Sequence, residues 1–478
     1  MSPAGPACAI VGGVRRSRSK SASEPAAGRS SLAWLGRLLA APETDGDRAR
    51  TVVGTFVLHL RPVRVPAAAI RFTHTFGLGG MSLVLLSILA ITGSLLMLGY
   101  TPVPGEAYAS IERLQGEVLF GAFVRSVHHW SANLLVLVAG LHMLRVFFTG
   151  GFLDGRALNW IVGLVLLAGI AASGFTGYLL PWDQLAYWAV TIVTGMAGYV
   201  PLAGSALAAL LRGGPEIGPE TLGTYFALHT QWLPVLLFAG AGFHFWRVRK
   251  AGGVVLPPYA VRDERGKPEQ VLFLPHLLWR ETAVALLLLA AVTLFSALVR
   301  APLGPPANPG LSLNPAKAPW YFLGFQELLV HLHPLFAVVV VPALGALALV
   351  ALPYLGFSKD EPRGAWFLSE NGRRTARLAA VLALVATPLL VVADETLLVA
   401  SGAPSGGAAL VTRGLLPVAA LLAVCVVGFR LLRSRLGATR LEAAHAIFVF
   451  VAAGFAVLTV TGIWFRGAGM RLVWPWNA

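Results

Sequence analysis

The chain has 478 residues, of which 56% are hydrophobic and only 12% are charged, and its mean hydropathy is +0.71. This composition excludes a soluble globular protein and indicates a polytopic membrane protein. The net charge of +15 does not indicate a nucleic-acid partner, because the basic residues follow a pattern typical of membrane topology.

The N-terminal residues 1–72 precede the first long apolar stretch. No signal peptide is apparent, because the basic residues near position 15 are followed by Ser-rich sequence and not by an apolar core. One helical face of residues 32–39 carries Leu32, Trp34, Leu35, Leu38 and Leu39. We therefore expect a cytoplasmic extension with a short amphipathic helix on the membrane surface.

Nine later stretches are apolar and long enough to cross a bilayer as helices. They comprise residues 74–100, 127–149, 158–180, 224–247, 277–299, 328–355, 375–399, 411–432 and 443–465. The sequence therefore predicts an all-α polytopic membrane protein, in which an N-terminal four-helix transmembrane bundle is followed by about five further transmembrane helices. The predicted parts are the extension (1–72), the bundle (73–250), a cytoplasmic linker (251–276), a C-terminal domain (277–400) and additional C-terminal helices (401–478).

The Lys and Arg residues are distributed unevenly between the two membrane sides. If the chain crosses at each of the nine stretches, 29 of the 37 basic residues fall on the N-terminal side and 8 on the other. Cytoplasmic loops carry the positive excess, so we place the N-terminus in the cytoplasm (the n side) and the C-terminus in the periplasm (the p side) of a bacterial cell membrane. The basic face suits anionic lipid. Residues 466–469 and Trp474 to Trp476 are expected to form a p-side interfacial cap.

Two pairs of histidines lie inside the second and fourth stretches. His128 and His142 are fourteen residues apart, and His229 and His244 are fifteen apart. Each pair spans roughly 21–23 Å along a helix, with a rotation of about 40° or 60° between its members. Both helices run from the p side to the n side, so His128 is predicted to meet His229 near the p side. His142 is likewise predicted to meet His244 near the n side. Two such imidazole pairs suit the axial positions of two low-spin haem irons.

Each histidine alone is more readily explained as a satisfied core residue. Four intramembrane histidines at matched spacings are different, because polar side chains in the bilayer are costly and usually functional. A transporter that uses them as proton relays is the non-redox alternative. Arg125 and Arg145 each lie three residues outside a histidine of the first pair, where each can meet a haem propionate or extend to the headgroups.

Several motifs resemble cytochrome b of the cytochrome bc complexes. Residues 125–132 (RSVHHWSA) resemble the haem motif of the second helix, and residues 177–184 (GYLLPWDQ) resemble the sequence that leads into the quinol-oxidation site. Residues 225–230 (YFALHT) and the fifteen-residue histidine step resemble the plastid-type cytochrome b6. The likeness is strong over about 70–250, good over about 270–356 and weak beyond, so the chain resembles cytochrome b6 fused to subunit IV, with extra helices.

The resemblance also implies how the haems are held. Members of the family place glycines beside the porphyrins, where a side chain would prevent close approach; the matching positions are Gly79, Gly93, Gly163 and Gly177. A b6-type chain carries a cysteine in its first helix that tethers an extra haem, whereas Gly77 stands at that position here. The two cysteines are Cys8 and Cys425, and no CxxCH motif is present. We therefore expect two non-covalent b-type haems and no covalent haem.

A quinol-oxidation site near the p side is implied by the resemblance, built from Pro181, Trp182, Pro319, Trp320 and Tyr321. The family tetrapeptide is Pro-Glu-Trp-Tyr, whereas residues 318–321 read Ala-Pro-Trp-Tyr, so the usual proton acceptor is missing. We predict that Glu327 replaces it, followed by His331 towards the outside, with Asp183 as the second candidate. The alternative is that Glu327 is an interfacial carboxylate paired with Lys317.

The resemblance implies the cytochrome b subunit of a quinol–cytochrome c oxidoreductase. One quinol electron would leave through a Rieske iron–sulfur protein to a c-type cytochrome, and the other would cross the two haems to an n-side quinone, with proton translocation. His276 is predicted to help protonate that quinone, the alternative being an interfacial helix-start histidine. The family is dimeric, so a homodimer is expected. The rival function is the di-haem membrane anchor of a dehydrogenase or hydrogenase, which the quinol-site motifs argue against.

Overall fold

The computed structural model describes residues 42–54, 62–358, 361–398 and 406–477, and most of these are helical. Within them, nine helices are long and apolar enough to cross a membrane. This confirms the predicted all-α polytopic membrane fold. The amphipathic helix predicted at residues 32–39 lies outside the described residues.

The helices of the N-terminal part come in the following order. They are α1 (Asp45–Gly54), α2 (Phe72–Thr75), α3 (Leu78–Met97), α4 (Pro104–Gly116), α5 (Gly121–Phe148), α6 (Ala157–Leu179), α7 (Gln184–Ala197), α8 (Gly204–Arg212), α9 (Pro219–Ala227) and α10 (Leu233–Lys250). A π turn, Leu228–Trp232, joins α9 and α10 into one span. The bundle spans are therefore α3, α5, α6 and the α9–α10 unit.

The C-terminal part adds five spans and one short helix. Its helices are α11 (Leu278–Leu298), α12 (Leu323–His331), α13 (Val341–Ala351), α14 (Glu370–Ala393), α15 (Gly406–Leu410), α16 (Leu416–Leu436) and α17 (Arg440–Trp464). Further π turns lie at Phe273–Leu277, Phe336–Val340, Asp394–Leu398 and Val411–Leu415.

Three of the π turns have a common cause. The turns at 228–232, 336–340 and 411–415 each end two residues before a proline, namely Pro234, Pro342 and Pro417. A proline has no N–H and its ring clashes with the carbonyl four residues earlier. The helix responds by widening one turn to include an extra residue, and it continues across the membrane without a break.

The predicted sixth span, residues 328–355, is wrong at its start. The structure divides it, because α12 ends at His331, the next residue Leu332 is extended (φ −112°, ψ 155°), and Pro334 follows. A proline disfavours helical backbone at the residue before it and removes a helical hydrogen bond. The sixth span is Phe336–Tyr354, so Glu327 belongs to the separate helix α12 and not to a transmembrane helix.

A two-stranded antiparallel sheet joins the chain before the first span to the linker after the fourth. β1 (Arg64–Pro66) pairs with β2 (Gln270–Leu272), with Val65 opposite Val271. Nearby, the imidazole Nε2 of His74 lies 2.7 Å from the carbonyl oxygen of Val255. The predicted linker is thus attached to the bundle at its n-side end.

Two interfaces hold the spans together. In the bundle, Leu85 of α3 is fully buried against α5 residues that include Val127 and Leu135. In the C-terminal part, α14 and α17 meet through small buried residues, among them Ala383 and Ala443. Small side chains let helix backbones approach closely in a membrane, so α17 is firmly attached to the rest of the chain.

Candidate haem and quinone sites

The four intramembrane histidines come together in two pairs. The ring centres of His128 and His229 are 6.1 Å apart, with planes inclined at 73°. Those of His142 and His244 are 6.3 Å apart, with planes at 78°. Since α5 and the α9–α10 unit run in the same direction, one pair lies near the start of both helices and the other near their ends.

The separation within each pair suits one metal ion between two imidazoles. Nitrogen–metal bonds of about 2.0 Å, as at zinc, plus about 1 Å from each nitrogen to its ring centre, give ring centres about 6 Å apart. Within the described residues, no cluster of three or more His, Cys, Asp or Glu side chains could hold a metal ion. In the part of the chain that the structure describes, each pair offers two imidazoles and no third ligand of these types, a donor set that would suit a haem iron.

Each predicted glycine lies against one of these histidines. A Cβ at Gly177 would lie 2.4 Å from Cε1 of His229, and a Cβ at Gly93 would lie 3.2 Å from Cε1 of His128. The corresponding distances for the n-side pair are 3.3 Å at Gly79, towards His142, and 3.5 Å at Gly163, towards His244. The four glycines thus leave room for the imidazole rings.

Two threonines that the sequence analysis missed orient the p-side histidines. The Thr92 Oγ1 lies 2.9 Å from Nδ1 of His128 and donates to the Ile88 carbonyl oxygen at 2.7 Å. The Thr176 Oγ1 lies 3.3 Å from Nδ1 of His229 and donates to the Ala172 carbonyl oxygen at 2.9 Å. Since each hydroxyl proton is committed to a carbonyl, the Thr92 hydroxyl accepts from Nδ1–H of His128. Nδ1–H of His229 is shared between the Ser173 carbonyl oxygen (3.0 Å) and the Thr176 hydroxyl, so Nε2 of both rings is left free for a metal. The available signal was a Thr-Gly dipeptide at both p-side glycines.

The n-side pair opens into a cavity of about 860 Å³, within the size range of cofactor sites. Its lining includes both histidines, both n-side glycines and the guanidinium of Arg145. Two further lining groups, Nε of Arg156 and Oδ1 of Asn159, are buried without a hydrogen-bond partner among the described residues. Buried polar atoms are normally paired, so these two atoms indicate space for a polar ligand.

The two predicted propionate-binding arginines are both buried. Arg125 donates to the carbonyl oxygens of Ala301 (2.9 Å) and Pro302 (2.7 Å) and so ties α5 to the chain after α11. Arg145 donates through Nε to the His74 carbonyl oxygen (3.1 Å) and lines the n-side cavity. Of the two, Arg145 therefore has the clearer access to a bound ligand.

The segment at 181–184 closes the p-side end of α6. Trp182 is buried with a positive φ of 52°, and Pro181 precedes it. One carboxylate oxygen of Asp183 caps α7 by accepting from the Ala186 N–H (2.9 Å), and the other accepts from the Gly304 N–H (2.9 Å). Asp183 thus holds two segments together at this end of the molecule.

Residues 316–322, here called the quinol-site segment, pack near the same end of α6. The Tyr321 hydroxyl lies against Gly174, where an added Cβ would be 2.9 Å from it. The Trp320 Nε1 donates to Oδ1 of Asn133 on α5 (2.9 Å), a partner that the sequence analysis did not single out. Burial raises the pKa of Tyr321 to about 12, so its hydroxyl stays protonated and acts as a hydrogen-bond donor.

Glu327 is fully buried and pairs with Arg466, whose Nε lies 2.9 and 3.1 Å from the two carboxylate oxygens. His331 Nε2 lies 3.2 Å from Oε1. Burial alone would raise the pKa of Glu327, but the hydrogen bonds from His331 and Arg466 lower it, so the carboxylate is ionised. Lys317, the alternative partner, instead donates to the Ile463 carbonyl oxygen (3.1 Å).

Two predictions at the ends of the chain fare differently. Arg466 was expected in an interfacial cap, and this is wrong, because it is fully buried by its pairing with Glu327. Trp474 and Trp476 are exposed and stacked, with ring centres 5.3 Å apart.

His276, the predicted proton donor to the n-side quinone, is exposed in the Phe273–Leu277 turn. Its neighbour Leu277 lines the n-side cavity.

Comparison with known proteins identifies the bundle. The family model described as cytochrome b/b6/petB matches residues 65–252. A solved structure titled "Hyperthermophilic respiratory Complex III" is 23% identical in sequence and covers 90% of this chain and 99% of its own, with a TM-score of 0.62; this likeness shows a shared fold. The part of the chain that holds both histidine pairs, residues 65–252, is thus similar to the cytochrome b family.

Proposed function

We propose that the chain is the di-haem cytochrome b subunit of a proton-translocating quinol–cytochrome c oxidoreductase. The observation that carries the proposal is the double pairing of histidines, with ring centres 6.1 and 6.3 Å apart. Two such sites along parallel helices, roughly 21 Å apart, suit electron transfer across a membrane. The match of residues 65–252 to the cytochrome b family model supports the same function.

In the proposed sites, His128 and His229 bind the p-side haem iron, and His142 and His244 bind the n-side iron. Each b-type haem, when bound, supplies a one-electron redox centre. The protein would fix the tautomer of the p-side imidazoles through Thr92 at His128 and through the Ser173 carbonyl oxygen and Thr176 at His229. Arg145 is proposed to pair with an n-side propionate, and Arg125 with a p-side one, since guanidinium and carboxylate form strong two-point hydrogen bonds.

Quinol oxidation is proposed near the p-side end of α6, between the segment at 181–184 and the quinol-site segment. Pro181, Trp182, Pro319 and Trp320 would form its walls. Tyr321 would donate a hydrogen bond to a quinol oxygen, because its proton is retained. Glu327 and Asp183 are the two proposed proton acceptors, and both carboxylates already have partners that quinol binding would have to rearrange. A purely positioning role for Glu327 would leave Asp183 as the acceptor.

Quinone reduction is proposed beside the n-side cavity, with His276 as a proton donor. His276→Leu is expected to slow reoxidation of the n-side haem while leaving both haem spectra unchanged. Unaltered reoxidation kinetics in this variant would remove His276 from the mechanism. A surface variant on the opposite side, Tyr199→Phe, serves as the control.

The proposed partners are a Rieske iron–sulfur protein and a c-type cytochrome, in a homodimeric complex of the bacterial cell membrane. Co-purification tests this directly, because a dehydrogenase or hydrogenase anchor would bring neither protein.

The decisive experiment is haem analysis of the purified chain. It should contain two extractable b-type haems with low-spin spectra. His229→Ala should remove the p-side haem and leave the n-side one, while His333→Ala, outside both pairs, should retain both. A haem that resists acid-acetone extraction, or two haems in His229→Ala, would contradict the proposed ligation.

A further inference from the structure

We propose that the last transmembrane helix, α17, holds the quinol-site segment in position, with Arg466 as the positioning residue. The proposal rests on the proposed quinol-oxidising function. The sequence offers no role for this helix. Along most of its length α17 packs against α14, and its C-terminal half also packs against α12, the short helix that directly follows the quinol-site segment.

Arg466 lies at the centre of these contacts. Besides Glu327, its Nη1 donates to the Met470 carbonyl oxygen (2.8 Å) and to Glu395 (3.3 Å). A fully buried guanidinium is costly unless its N–H groups are paired, and here the pairs belong to α12, to the end of α14 and to the C-terminal loop. Arg466 thereby fixes α12 against two other parts of the chain.

The two helices also pack at very close range. A Cβ on Gly324 of α12 would lie 2.5 Å from the Phe455 ring and 2.7 Å from Oγ1 of Thr459, both on α17. A Cβ on Gly462 of α17 would lie 3.3 Å from the Leu323 side chain. No side chain fits at Gly324 without a shift of α17, and the contact at Gly462 is tight, so α12 has little freedom to move relative to α17.

The quinol-site segment follows α12 through side-chain bonds to its backbone. Gln326, the neighbour of Glu327, accepts from the Ala318 N–H (2.8 Å) and donates to the Ala316 carbonyl oxygen (2.6 Å). Lys317 adds a direct bond to Ile463 of α17. On the other side, Trp320 is held by α5. The position of α12 thus sets the position of the segment relative to the haem bundle.

The ion pair belongs to a charge-balanced cluster. Three carboxylates (Glu327, Asp394 and Glu395) and two arginines (Arg413 and Arg466) surround His331, whose Nδ1 lies 2.6 Å from Asp394. With His331 protonated, the cluster has no net charge. Neutralising Glu327 or Arg466 alone leaves an excess charge of one in a buried site, whereas neutralising both restores the balance.

Because the double variant keeps the charge balance, it distinguishes a positioning role of Glu327 from a role as proton acceptor. Glu327→Gln and Arg466→Gln should each lower kcat/KM for quinol at least ~10-fold, mainly through KM, with both haem spectra intact. The double variant keeps an amide–amide hydrogen bond and the charge balance, and it should recover to within about 3-fold of the wild type. Its pH–rate profile should match that of the wild type.

The measurements use membranes that contain the whole complex. A double variant as slow as Glu327→Gln would overturn the proposal and assign proton acceptance to Glu327, and normal turnover in Arg466→Gln would also overturn it. If the single variants fail to assemble, the double variant is compared with the wild type alone: kcat/KM within about 3-fold supports the proposal, and a larger loss overturns it. Arg363→Gln, which removes the ion pair with Asp154 at the opposite end of the bundle, is the control. A wild-type complex that does not oxidise quinol would instead refute the proposed function.

Discussion

Replacing Gly177 by alanine is expected to displace His229 and weaken binding of the p-side haem. The added Cβ would lie 2.4 Å from Cε1 of His229 and 3.0 Å from both ring nitrogens, well inside the carbon–carbon contact distance of about 3.5–4.0 Å. The imidazole would have to retreat by about 1 Å. Such overpacking costs about 1–3 kcal/mol, which corresponds to a loss of about 5–150-fold in haem affinity.

The matched control is Gly163→Ala. Its Cβ would lie 3.5 Å from Cε1 of His244, which is ordinary contact, so the n-side haem should bind as in the wild type. Haem titration of the apoprotein, with redox difference spectra to separate the two haems, measures both affinities. If Gly177→Ala binds both haems normally, or if Gly163→Ala loses as much affinity as Gly177→Ala, the reasoning from ring clearance is refuted.

Three further predictions concern other parts of the chain. Thr92→Val removes the acceptor for the Nδ1 proton of His128, which makes the imidazole a weaker donor to iron. A hydrogen bond of about 0.5–1.5 kcal/mol corresponds to about 20–65 mV for a one-electron couple. A redox titration should therefore show the p-side haem potential raised by that amount and the n-side potential unchanged. Burial opposes protonation of His331, but its bonds to Glu327 and Asp394 raise its pKa above 6.5. The stabilisation from protonated His331 is therefore fully present below pH 6.5 and is lost as the pH rises through the raised pKa. The unfolding temperature in detergent should fall over that pH range. His331→Gln should make the unfolding temperature less dependent on pH. A periplasm-active reporter fused after Ala478 should be active, and cytoplasmic activity would contradict the nine-span topology.

Most of the architecture could be predicted because apolar length is read directly from the sequence. The break after α12 could not, since the stretch at 328–355 carries no charged residue and each proline within it is compatible with either a widened turn or an interruption. At Pro342 the helix widens, whereas at Pro334 it stops, and the His333 N–H donates to the Arg413 carbonyl oxygen instead (2.7 Å). That partner comes from a distant part of the chain.

The histidine pairs followed from spacing and helix direction, which are local properties. The partner of Glu327 did not, because Arg466 is 139 residues away and appears in the sequence as one basic residue near the C-terminus. Thr92 and Thr176 were hidden for another reason: a threonine in an apolar helix usually bonds to its own backbone. Both do so here, and their second bond becomes visible only when the facing helix is present.

The π turn at Leu228–Trp232 has a consequence for how this helix tolerates changes in length. A π turn contains one residue more than an α turn, so the fifteen steps from His229 to His244 complete about the rotation of the fourteen steps between His128 and His142. The turn thus absorbs a one-residue difference in phase between the two helices. Deleting Gln231 together with Pro234→Ala, which removes the cause of the widening, should convert it to an α turn and leave both histidines on the same face. A deletion at Ala241, beyond the turn, should instead rotate His244 by about 100° away from its partner.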